Sequence, residues 1–153
     1  YTHQLAQRGE LLTHHKDRTV LNLMQVDVLI ERNFSTISPN ATLGELIEVI
    51  AKSKRNIFPV VDEQSIFHGH ILMDDIRNIM FDNQLYDKRV TSFMVAPPYI
   101  IHPDESMEEI AKKFQLSEKY NIPVVSDGRY IGYISRANVF SAYRSTLREM
   151  SDD

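Results

Sequence analysis

An internal duplication constrains this chain more than any other feature. Residues 36–77 and 100–139 carry one pattern of capped amphipathic helix, Pro-Val-Val run, Gly-centred run and second helix, repeated at an offset of about 64 positions. A unit of this size occurring twice predicts two copies packed on each other, with any ligand site in the clefts between them rather than at one catalytic centre. In the first copy Ser38-Pro39-Asn40-Ala41-Thr42 leads into Leu43, Leu46, Ile47 and Ile50. In the second, His102-Pro103-Asp104-Glu105-Ser106 leads into Met107, Ile110, Ala111 and Phe114. That i, i+3, i+4, i+7 spacing places four apolar side chains on one helical face. Thr42 with Glu45 and Ser106 with Glu109 read as capping boxes, so both helix starts are well defined.

The strands follow in the same order. Asn56-Ile57-Phe58-Pro59-Val60-Val61 and Asn121-Ile122-Pro123-Val124-Val125 read as buried strands with proline at the entrance. Asp62-Glu63-Gln64 and Ser126-Asp127-Gly128 read as hairpin turns. The returning strands hold Gly69-His70-Ile71 and Tyr130-Ile131-Gly132-Tyr133-Ile134. Each feeds a helix, with Ile76, Ile79 and Met80, or Val139, Phe140 and Tyr143, facing inward. The predicted class is therefore α+β: two β-α-β-β-α repeats packed with pseudo-twofold symmetry into one lobe, because a half of about 60 residues buries little core alone.

The domain reading runs from an N-terminal segment at 1–18, through repeat 1 at 19–81, a polar connector at 82–89 and repeat 2 at 90–146, to a tail at 147–153. The first 18 residues are polar and helix-compatible, interrupted by Gly9, and include the adjacent pair His14 and His15, which do not face one another on a helix and read as solvated linker rather than a metal site. The chain opens without an initiator methionine, and these residues are expected to be a linker from a preceding membrane domain. Both repeats open on a similar apolar phrase ending in methionine, Val20-Leu21-Asn22-Leu23-Met24 and Val90-Thr91-Ser92-Phe93-Met94. The absence of cysteine offers no disulfide framework or thiolate ligands and fits a reducing compartment. A net charge of −4 and the lack of a Lys/Arg stripe with interleaved aromatics argue against nucleic acid as a partner. No run approaches the ~20 apolar residues of a membrane span.

These phrases in order, above all Gly69-His70-Ile71-Leu72-Met73-Asp74-Asp75 and Gly132-Tyr133-Ile134-Ser135-Arg136-Ala137-Asn138, resemble the two repeats of a CBS-domain pair, a likeness that covers nearly everything from Val20 to Tyr143. More narrowly, Tyr1 to Leu12, Arg55 to Asp62 and Asp74 to Phe81 are similar to the cytoplasmic C-terminal region of bacterial CLC-family chloride channels and transporters. That second resemblance implies a regulatory tail on the cytoplasmic side of the bacterial inner membrane, joined to a membrane-embedded CLC transport domain of the same chain and paired as a homodimer.

The CBS resemblance also implies an adenosine-type ligand, with ATP, ADP or AMP as regulatory candidates and no required cofactor or metal. In the usual pattern, Gly-apolar-apolar-Ser/Thr-x-x-Asp, the acid accepts from both ribose hydroxyls, a task suited to an acceptor with several lone pairs. Carried over, one cleft holds Ser135, Asn138 and Arg136 with Thr36, Ile37, Asn56, Ile57, Phe58 and Pro59. The second cleft holds Asp75 with Ile100, Ile101, Tyr120, Asn121 and Ile122. Each departs from the pattern: Leu72 stands where a hydroxyl is expected, and Asn138 where the carboxylate is expected. Lys54, Arg55, Arg129 and Arg136 are candidate phosphate partners, Tyr120 a stacking platform, and the helix start at Ser135 and Arg136 an anion-favouring place. Structural readings compete: Ser135 as a helix cap, Asp74 and Asp75 as first-turn charges, the tyrosines as packing residues, and Ser151-Asp152-Asp153 as a frayed end.

Three functions follow. The first is a regulatory nucleotide-sensing module. The second is a structural dimerisation module with vestigial clefts, or a CBS pair of another transporter or enzyme. Catalysis is the least supported, since no Gly-x-Ser-x-Gly elbow, P-loop or His-Glu-x-x-His helix is present and Glu108-Glu109 lie beside the helix cap as solvated charge.

Overall fold

Local sequence signals become elements in the expected order. The computed structural model describes residues 15–152; the Tyr1 to Leu12 phrase and most of the expected linker lie outside the described residues. The elements are α1 (His15–Leu23), α2 (Leu43–Lys52), β1 (Ile57–Val61), β2 (Phe67–Leu72), α3 (Met73–Ile76), α4 (Met107–Ser117), β3 (Asn121–Ser126), β4 (Arg129–Ser135) and α5 (Arg136–Asp152). Two two-stranded sheets, β1-β2 and β3-β4, account for the named strands. The fold is α+β, with two sequence repeats that each contribute a β-hairpin and helices.

Thr42 closes a full capping box on α2, its Oγ1 accepting from the Glu45 N–H while Glu45 Oε1 accepts from the Thr42 N–H, both at 3.3 Å. At α4 the forward bond is made, Glu109 N–H to Ser106 Oγ at 3.1 Å, and the Ser106 hydroxyl donates to Glu109 Oε1 at 3.3 Å. Asp127 and Gly128 both take positive φ, 53° and 82°, the two-residue turn whose twist matches a hairpin. The other turn is longer and is held by Asp62 Oδ1, which accepts from the Gln64 and Ile66 N–H groups at 2.9 and 3.0 Å.

The leading strand of each repeat shrinks to a single residue. Ile37 bridges Val60 and Ile101 bridges Val124, each in parallel. Ile37 donates to the Pro59 carbonyl and Ile101 to the Pro123 carbonyl, both at 2.9 Å. Both prolines sit third in their strands rather than at the entrance. Having no N–H, they cannot carry the ladder further toward the N-terminus.

Two packing units result, and their seams differ from the sequence repeats. One comprises the segment ending at Glu31, Tyr99–Val124 and the chain from Ile131; the other comprises Arg32–Pro98 and Val125–Tyr130. In the first, Glu31 and Tyr133 exchange backbone bonds of 2.7 and 2.9 Å. In the second, His70 and Val95 exchange bonds of 3.0 and 2.9 Å. The segment leading into repeat 1 therefore pairs with the hairpin of repeat 2, and the segment leading into repeat 2 pairs with the hairpin of repeat 1. The first unit's core gathers Val20, Leu21, Ile110, Phe114, Ile122, Ile134 and Val139. The second gathers Leu43, Leu46, Phe58, Val60, Ile71, Ile76 and Val90.

Three segments differ from expectation. The helix after β2 is one turn long, because Ile79 donates back to Ile76 and Asp82 to Ile79 in turns, with Asn78 and Asp82 favouring such geometry; Ile79 and Met80 still pack on the core. The connector is more than a polar tether: Lys88 and Tyr86 carbonyls accept from the Leu43 and Gly44 N–H groups at 2.8 and 3.0 Å, satisfying the first donors of α2. Residues 147–152 continue α5 instead of forming a tail, with Leu147 and Met150 packed against the first core.

Tyr130 stacks on Phe67 with centroids 6.1 Å apart. Burial pushes its phenol up to about 12, opposed more weakly by the charges of Arg55 and Arg32. Since an unfolded tyrosine ionises near ~10, this contribution to stability is complete below that pH and is lost as pH rises through the folded value. Ultraviolet titration of the parent minus that of Tyr130→Phe should leave a late-ionising tyrosine as the difference.

Candidate functional site

The duplicated feature that brings chemistry together is the corner where each returning strand becomes a helix. In one unit Met73, the first residue of α3, donates its N–H to the Asn56 carbonyl at 2.9 Å. In the other Arg136, the first residue of α5, donates its N–H to the Tyr120 carbonyl at 2.8 Å. The same bond therefore ties each helix start to the lead of its neighbouring strand. It puts Leu72 and Ser135 at one equivalent place and Asp75 and Asn138 at another.

The strand leads are equivalent too. Thr36 and Ile100 are exposed, whereas Ile37 and Ile101 turn inward. On β1, Asn56 precedes the strand and is exposed, Ile57 is half-buried, and Phe58 and Pro59 are buried. On β3, Asn121 is half-buried and Ile122 buried, while Tyr120 just before the strand is 75% exposed. Phe58, Ile101 and Ile122 are thus core side chains, whereas the family resemblance implied apolar side chains sandwiching an adenine ring and backbone groups reading its edge. The Ile100 carbonyl, one of the expected backbone readers, accepts from Lys113 Nζ at 2.6 Å, and Lys113 also pairs with Glu105.

Ser135 caps the helix as the structural reading expects, its Oγ accepting from the Asn138 N–H at 3.1 Å. That bond uses an oxygen lone pair and leaves the hydroxyl proton able to donate elsewhere. With the Arg136 and Asn138 N–H groups both bonded inside the protein, this helix start offers an anion fewer backbone donors than the sequence implies. Arg136 also departs from expectation as a phosphate partner. It is buried, its guanidinium donates to the Phe114 carbonyl at 2.7 Å near the end of α4, and its Cζ lies 5.6 Å from the Tyr120 ring centroid. There it holds the last turn of one helix against the first turn of the next.

Asp75 is exposed in the first turn of α3, beside the surface pair Asp74–Arg77 at 2.9 Å. On the same unit, the Arg55 guanidinium lies 4.2 Å over the Phe34 ring and donates to Asn33 Oδ1 at 2.6 Å. Asn33 and Phe34 escaped sequence reasoning because they precede Arg55 by 22 and 21 positions and carry no local pattern. Among the described residues, no group of three or more His, Cys, Asp or Glu side chains converges to hold a metal ion, and no helix is long and apolar enough to cross a membrane. The Asp75 carboxylate can accept from hydroxyl donors, and the Ser135 hydroxyl can donate to an acceptor oxygen.

A family model described as CBS domain matches residues 23–82 and 90–145. The protein MJ1004 of Methanocaldococcus jannaschii is 28% identical over 119 residues, which are 76% of this chain and 55% of that protein. The chain thus spans about half the length of that relative. The crystal structure of MJ1004 superposes with a TM-score of 0.69 at 23% identity, covering 84% of this chain and 67% of that one. CbpB in complex with c-di-AMP superposes with a TM-score of 0.69 at 16% identity, covering 97% of each chain. CBSX2 in complex with AMP gives 0.65 at 23% identity, covering 82% of this chain and 98% of that one.

Proposed function

The chain belongs to the CBS-domain family as a tandem pair, and from that premise we propose that it is a regulatory module that binds an adenine nucleotide and passes occupancy on to a partner protein. The observation that carries this reading is the repeated strand-to-helix corner, which presents Asp75 on one unit and Ser135 with Asn138 on the other. The fold shared with CbpB and CBSX2, solved with c-di-AMP and AMP respectively, supports the ligand class. Coupling of this kind is worth about 1–3 kcal/mol, enough to tune a partner rather than lock it. The module acts without catalysis, as a homodimer, with AMP, ADP, ATP or c-di-AMP as effector.

The relatives named above tie the chain to no CLC transport domain, which favours a CBS pair serving another protein, and the placement at the inner-membrane face goes with that narrower reading. Calorimetry of the full chain with each of the four nucleotides tests the proposal. Saturable binding of at least one is expected, with stabilisation of about 2.7 kcal/mol at a hundredfold excess over Kd. The joint variant Asp75→Ala, Asn138→Ala should abolish it. Failure of every nucleotide to bind at millimolar concentration would overturn the reading. The capping role of Ser135 and the inward Arg136 favour a second reading, a dimerisation module with non-binding clefts. It predicts a dimer by light scattering at all concentrations and no nucleotide response.

A further inference from the structure

The two corners are built on one backbone scheme but end in different chemistry. Asp75 and Asn138 occupy the same place, three residues past the strand end, after helix starts pinned by the same bond from Met73 to Asn56 and from Arg136 to Tyr120. Asp75 is an exposed carboxylate, an acceptor through both oxygens. It suits two hydroxyl donors side by side, as in a ribose whose 2′ and 3′ hydroxyls are both free. Asn138 is a half-buried amide with one accepting oxygen and one donating nitrogen. It suits one hydroxyl beside one acceptor oxygen. Ser135 adds a donor: its Oγ accepts from the Asn138 N–H at 3.1 Å, so the hydroxyl proton is the part left to offer.

Resting on the nucleotide-binding reading above, we infer that the corner of Ser135 and Asn138 selects an adenine nucleotide whose 3′ oxygen is esterified to phosphate, whereas the Asp75 corner selects one with a free diol. The amide oxygen of Asn138 accepts from the remaining 2′ hydroxyl, and its NH2 donates to the ester oxygen. The Ser135 hydroxyl donates to a phosphate oxygen. A carboxylate at position 138 would face that phosphate with like charge and lack the donor, which is discrimination by repulsion as well as by fit.

The experiment titrates the full chain calorimetrically with AMP, adenosine 3′,5′-bisphosphate and c-di-AMP, for the wild type, Asn138→Asp and Asp75→Asn, with thermal unfolding as the control for folding. We expect the wild type to bind c-di-AMP and the bisphosphate at a site that Asn138→Asp weakens about tenfold or more, the scale of one charge-assisted bond. AMP binding should survive Asn138→Asp and weaken in Asp75→Asn. Adenine nucleotides that bind with the same preference to the wild type and to an equally stable Asn138→Asp variant would overturn this inference and leave the broader function standing. Silence toward all three ligands would overturn both.

Discussion

Gly132→Ala should strongly destabilise this protein. A Cβ at position 132 would run into the Glu31 carbonyl oxygen and lie 2.8 Å from Ile30 Cγ2. The obstacle is backbone, and it cannot retreat freely, because Glu31 exchanges two hydrogen bonds with Tyr133. Moving it forfeits bonds worth about 1 kcal/mol each on top of an overpacking cost of about 1–3 kcal/mol. A loss of about 3–5 kcal/mol is expected, which for a chain of this size lowers Tm by roughly 10 °C. Calorimetric unfolding measures it. Gly44→Ala is the control: its Cβ would meet Tyr86 no closer than 3.4 Å, in a helix that favours alanine over glycine by about 1 kcal/mol. A Gly132→Ala protein as stable as the parent would show that the Glu31–Tyr133 bridge is not made in solution.

Phe58→Ala should cost about 3–5 kcal/mol in the absence of any ligand. Phe58 is fully buried and belongs to the core formed by Leu43, Leu46, Val60 and Ile71. If it instead lined a ligand cleft, as the family resemblance implied, truncation would spare the apo protein and weaken binding. The comparison is Phe81→Ala: that ring is 84% exposed, and surface changes of this kind stay within about 0.5 kcal/mol. Chemical denaturation of the two variants separates the cases, and equal midpoints would refute the core assignment.

Much of the fold was legible because its signals are local. The Thr42 and Ser106 caps, the helical faces of Leu43 to Ile50 and Met107 to Phe114, and the Asp127-Gly128 turn depend on neighbours within a few residues, and each formed. What escaped depends on distant partners. The one-residue leading strands follow from which N–H groups Pro59 and Pro123 lack once a parallel neighbour is chosen. The inward turn of Arg136 depends on the Phe114 carbonyl near the end of α4, 22 positions upstream. The buried-strand reading covers Phe58 and Ile122, but no pattern in the chain could say that Ile101 would also be consumed by packing, since a sequence run shows which side chains share a face and not what that face meets.

The exchange of partners between Glu31 with Tyr133 and Val95 with His70 governs how the gene could be dissected. A cut in the connector at 82–89 would release two fragments, each keeping a lead-in residue that bridges to the other hairpin and each baring the hairpin edge that this bridge covers, an invitation to mispairing. The duplicated ancestor implied by the sequence could not have been this unit taken singly. Two copies, whether on one polypeptide or two, had to exchange these bridging residues before either hairpin edge was covered.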